Sequence, residues 1–88
     1  MDEERNYITE DAAIDNLSSA VSADERKALR VLVRTDIPMR ISFLATTLGK
    51  TVKQVIPIVT FLELKGLAIQ LPGKTFLVNR ENLLTRGS

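Results

Sequence analysis

Apolar positions recur along this chain in two rhythms, and the change from one to the other predicts the elements. Ala28, Leu29, Leu32 and Val33 return at helical spacing. Ser22 and Glu25 supply a capping box at the start of that first core helix. Asp36-Ile37-Pro38 ends the run, and the extended backbone that surrounds a proline offers a short strand there. A second helix places Ile41, Leu44, Ala45 and Leu48 on one side, with Ser42 as its cap and Gly49 as a left-handed stop. Thr51 and Gln54 form another capping box, which opens a third helix. At about 100° per residue, Val52, Val55, Ile56, Val59 and Leu62 make the buried face of that helix. Pro57 conflicts with it: an interior proline costs ~3 kcal/mol, so a kink or a start near Val55 is expected.

Gly66 stops the third helix, and the period then falls to two. Leu67, Ile69 and Leu71 alternate with Ala68 and Gln70 as in a half-buried strand. Pro72-Gly73 suits the centre of a type II turn, and Phe76 and Val78 return on the partner strand. Upstream, Ala13, Ile14 and Leu17 share one side of a short, weakly signalled helix within residues 9–19. Residues 1–8 read as disordered, and residues 79–88 as a polar tail with a helical turn around Leu83 and Leu84.

Helix, turn, helix, glycine stop and ribbon, in that order, is the plan of an α+β winged helix-turn-helix. The expectation is a three-helix cluster with a carboxy-terminal two-stranded wing and one additional amino-terminal helix. Residues 1–20 form an acidic, largely flexible arm in this reading, 21–79 the winged-helix domain and 80–88 the tail. Val55, Phe61-Leu62-Glu63-Leu64-Lys65-Gly66-Leu67 and Gln70-Leu71-Pro72-Gly73-Lys74-Thr75-Phe76 carry a further likeness. They resemble the Leu-Glu-Leu-x-Gly-Leu-Val and Leu-Pro-Gly-Gly-x-Tyr of the carboxy-terminal winged-helix domain of the DNA-processing protein A family (DprA), which takes part in natural transformation. The resemblance covers about two-thirds of the chain, from Ser22 to Val78. It implies a fold more than a task, because in that family a Rossmann-like domain binds single-stranded DNA and this sequence contains no counterpart of it.

Composition narrows the chemistry. Eighty-eight residues make one small domain that buries roughly 60–65% of its unfolded surface, so nearly every periodic apolar position is needed. Cysteine and histidine are both absent, which removes the thiolate, the usual neutral-pH base and the commonest metal ligands. An enzyme, a metal site or a cofactor is therefore not expected. No apolar run approaches the ~18 residues of a membrane span, and the acidic start is unlike a secretory signal, so an intracellular place (cytoplasm, nucleoid or nucleus) is expected. The net charge of +1 conceals an asymmetry. Six acids face only Arg5 in residues 1–20, a net of −5, whereas eleven basic residues face five acids in residues 21–88, a net of +6. A basic body with an acidic arm points to nucleic acid, with the arm competing for the same cations.

In a DNA-reading helix-turn-helix the second helix of the motif enters the major groove. Lys53 and Gln54 are the residues suited to base edges there, while Lys50, Arg40 and Lys74 suit phosphates, with Thr51 opening the helix. Phosphate contacts position a protein without specifying sequence, so contact with double-stranded DNA of low sequence preference is the first expectation. Phe43, Pro57, Ile58 and Phe61 carry the second. They fall off the buried stripes and would form one apolar patch for a protein partner or a homodimer.

Overall fold

The structure, a computed structural model, describes residues 9–17, 19–35 and 37–87. Among these the chain forms α1 (Glu10–Asn16), α2 (Ala23–Arg34), β1 (Met39–Arg40), α3 (Ile41–Leu48), α4 (Val52–Leu64), β2 (Ala68–Leu71), β3 (Thr75–Val78) and α5 (Arg80–Arg86). The fold is α+β. Its antiparallel sheet has the order β1-β3-β2, with Met39 opposite Phe76 and Gln70 opposite the same residue from the other side. That order is compatible with the expected winged helix. The extended segment near Pro38 becomes a third strand beside the expected pair.

Both capping boxes form. The Ser22 hydroxyl accepts from Glu25 N–H, and the Glu25 carboxylate accepts from Ser22 N–H at 3.0 Å. Thr51 and Gln54 repeat the exchange at 3.1 and 2.9 Å. Gly49, at φ 69°, stops α3 as expected. Ser42, however, lies within α3 rather than capping it, and Arg40 holds the N-cap position without a side-chain bond. Helix α4 runs from Val52 through Pro57. The proline sits on the exposed side, where water can serve the carbonyl left without a donor, and the Thr51 cap holds the start.

Leu29, Leu32, Leu44, Val55, Val59, Leu62 and Leu67 are fully buried and gather α2, α3 and α4 over the sheet. Strand β2 turns the opposite way from the expected one. Ala68 is buried while Ile69 is exposed, because Ala68 and Gln70 stand opposite Val78 and Phe76, whose bulk defines the inner face. Gly66, at φ 74°, makes the corner from α4 into β2. A side chain there would be strained and would meet the Asn82 amide, which donates to the Gly66 carbonyl at 2.6 Å.

Helices α1 and α5 form within the segments read as arm and tail. Residues 1–8 lie outside the described residues, but α1 buries Ala13 and Ile14 completely, and α5 buries Leu83. These helices pack on each other. The Asn16 amide donates to the Gly87 carbonyl, and Gly87 leaves no room for a Cβ beside Ala13. Arg80 binds Glu10 and also donates to the Val33 and Thr35 carbonyls at 3.0 and 3.3 Å, tying α1, α5 and the end of α2 together. Periodicity missed this closure because each segment is a single short helix whose apolar residues are few. No described helix is long and apolar enough to cross a membrane.

Glu25 is the one buried charged residue among those described, and beyond its cap it receives Lys65 Nζ from the end of α4 at 2.6 Å. Glu25→Ala is expected to lower the unfolding free energy by about 2–3 kcal/mol, through loss of the cap acceptor and of the charge opposite Lys65. Glu25→Gln keeps an acceptor oxygen and is expected to lose less. Urea unfolding followed by circular dichroism measures both, and equal losses would show the charge to be irrelevant.

Candidate binding face

One exposed face is built by the turn between α3 and α4, by the outer side of α4 and by the β2–β3 hairpin. Gly49 reverses the chain, and Lys50 N–H closes the turn on the Ala45 carbonyl at 2.9 Å. The Thr51 cap then aims α4 outward. Across from it, the Lys74 carbonyl accepts from Ile41 N–H at 3.3 Å and pins the hairpin tip to the start of α3. Lys74 adopts φ 58°, the one non-glycine residue among those described with positive φ.

Between these walls runs a groove of ≈ 280 Å³, lined by Val52, Ile56, Val59, Thr60 and Glu63 of α4. Ile41, Gln70, Lys74 and Phe76 complete it. Its surface is chiefly apolar, and Val52 and Ile56 are 39% and 49% exposed. Glu63 is half-buried and Lys74 exposed, and neither forms an ion pair among the described residues.

The expected phase of α4 needs correction. Its buried residues are Val55, Ile58, Val59 and Leu62, so the helix is turned by roughly 50°, half a residue's step, from the expected wheel. Val52 and Ile56, assigned to the core, face the groove. Ile58, assigned to the surface patch, is 7% exposed and cannot meet a partner. The signal that could have set the phase is Pro57, whose missing hydrogen bond favours the side away from the core.

The apolar patch is accordingly divided. Phe43, 60% exposed, lines a separate cleft of ≈ 340 Å³ with Thr35, Ile37, Pro38, Met39 and Arg40, and no α4 residue contributes to it. Phe61, 51% exposed, and Pro57 stay on α4 outside both hollows. Sequence reasoning also missed Leu64, the most exposed large apolar residue of those described at 77%.

The cations separate as well. Lys50 pairs with Asp24 at the start of α2 at 3.5 Å. Gln54 uses its side-chain oxygen to cap Thr51, which removes the acceptor half of a bidentate base contact. Arg40, Lys53 and Lys74 are exposed and carry no ion pair among the described residues. Arg40 lies opposite Thr75, the residue that follows Lys74. Val52, beside Lys53, shares the groove with Lys74, so the start of α4 and the hairpin tip face the same space. The acids of α1 do not compete for these cations: Asp11 and Asp15 pair with Arg30, and Glu10 with Arg80.

No family model, curated protein or solved structure matches the chain.

The orientation of α4 predicts a sharp contrast between neighbours two residues apart. Ile58→Ala is expected to cost about 2–4 kcal/mol and Ile56→Ala no more than about 0.5 kcal/mol, read from urea unfolding. The reverse order would turn α4 back and close the groove.

Proposed function

We propose that the chain is a winged-helix module that docks a protein partner on the face formed by α4 and the β2–β3 hairpin. The fold part of the proposal is supported by the order of α2, β1, α3, α4 and the hairpin, and by β3 lying between β1 and β2. The likeness of residues 61–76 to the DprA winged-helix domain points the same way and leaves the task open. The observation that carries the task is the chemistry of the α4 positions that would enter a major groove. Val52, Ile56 and Thr60 line the hollow beside a half-buried carboxylate at Glu63, and Pro57 is exposed next to them. Of the two base-reading candidates, Lys53 stays exposed while the Gln54 oxygen is engaged by Thr51 N–H. Base edges in that groove call for donors and acceptors in fixed pairs, and phosphates repel Glu63. Exposed aliphatic side chains beside isolated charges instead suit a protein surface, where the apolar centre supplies the free energy and the rim sets orientation.

A small apolar probe tests this directly. Chemical-shift mapping with isopropanol is expected to gather its largest shifts on Val52, Ile56, Thr60 and Gln70. Shifts confined to the Phe43 cleft, or scattered without a cluster, would remove the groove as a docking site.

Arg40, Lys53 and Lys74 support a second reading, phosphate-driven contact with double-stranded DNA of low sequence preference. Three phosphate contacts predict that the logarithm of the association constant falls with that of salt at a slope of about −2.7. Lys53→Glu and Lys74→Glu should each weaken binding equally for unrelated duplexes. Fluorescence anisotropy at several salt concentrations checks both points, and a sequence-selective complex would displace the protein-docking reading.

A further inference from the structure

We infer that the partner of this face is a second copy of the same chain, bound antiparallel about a two-fold axis near the middle of α4. The inference rests on the docking reading above and goes on to name the occupant.

The argument is one of charge complementarity. Glu63 lies in the last turn of α4, and Lys74 at the hairpin tip. Strand β2 leaves the carboxy-terminal end of α4 at Gly66 and runs four residues, about 13 Å, back along the helix. The tip therefore sits toward the amino-terminal end of α4, where Lys74 shares the groove with Val52 and Ile41. One groove thus holds a carboxylate at one end and an ammonium at the other. The two form no ion pair with each other, and neither pairs with any other described residue.

A two-fold axis converts that separation into a match. In an isologous interface residue i meets j while j meets i. Val52 and Glu63 lie eleven residues apart on α4, about 16 Å along its axis. Antiparallel α4 helices crossing midway between them bring Glu63 of each copy to the Val52 end of the other, where Lys74 and Lys53 stand. Two reciprocal ion pairs then flank a central strip in which Ile56 and Thr60 of one copy cover those of the other. A duplex would meet Glu63 with like charge. A foreign protein would need the inverse pattern of charges, which a second copy already carries.

Analytical ultracentrifugation over a concentration series, with circular dichroism as the check on folding, tests the assignment. The wild-type chain is expected to dimerise reversibly. Glu63→Lys and Lys74→Glu should each raise the dimer dissociation constant by about tenfold, through like charges brought face to face. The double variant carrying both changes restores opposite charges and should return to within about threefold of wild type. Ile56→Asp, at an exposed position that keeps the fold, should leave a monomer. A wild-type chain that stays monomeric throughout overturns the second-copy assignment, and isopropanol shifts gathered in the groove would then still uphold docking of a foreign protein. A wild-type dimer indifferent to Ile56→Asp, or single charge reversals without rescue in the double variant, also overturns it and places the contact elsewhere.

Discussion

A carboxylate taken out of water must recover its lost hydration from the protein, and Glu25 does so from two directions. Ser22 N–H satisfies it within α2, and Lys65 reaches it from the far end of α4. The same group that starts one helix therefore ties down the end of another. Lys65 is tied to the α2 side, and together with the packing of α4 on α2 this favours the orientation that buries Ile58 and leaves Ile56 exposed. From that orientation follow the burial of Val55, Ile58, Val59 and Leu62, the exposure of Val52 and Ile56, and the groove between helix and hairpin. Gly66, one residue beyond, completes the geometry by turning the chain so that β2 runs back beside α4.

A second anchor acts on the opposite side. Arg80 gathers Glu10 and two carbonyls near the end of α2, and α1 and α5 close over the core through Ala13, Ile14 and Leu83. The consequence for function is electrostatic. The acids of α1 are held by Arg30 and Arg80, so the acidic helix does not mask Arg40, Lys53 or Lys74. The cations of α4 and the hairpin stay exposed, while Lys50 and Lys65 are drawn inward to α2. A body that is strongly basic by count thus presents only a few isolated charges around a largely apolar hollow. That change in balance moves the functional reading from phosphates toward a protein surface.

Much of the fold was legible because it is written in local chemistry. The capping boxes at Ser22 and Thr51, the left-handed glycines at 49 and 66, and the change of period after Gly66 each involve neighbours in sequence, and each element formed where they put it. The candidate residues fared less evenly. Phe43 and Phe61 are exposed as expected, yet they share no hollow: Phe43 lines a cleft to which α4 contributes nothing. Gln54 could be both cap and base reader on paper, and the Thr51 backbone claimed its oxygen.

What the sequence determined alone was the run of elements from α2 to β3, with its order and stops, because capping, glycine conformation and hydrophobic period act over a few residues. Helix α5, by contrast, reads only as a helical turn in a polar tail. Tertiary structure decided which way each element faces. Both sides of α4 carry aliphatic residues, so its wheel has two nearly equal solutions, and only the long-range pairing of Glu25 with Lys65 and the packing on α2 separate them. Strand β2 likewise has apolar residues on both faces, and the bulk of Phe76 and Val78 across the ladder selected the Ala68 side. The hollow that carries the functional reading exists only through those two choices, because its walls come from three separate elements, the start of α3, the outer side of α4 and the β2–β3 hairpin.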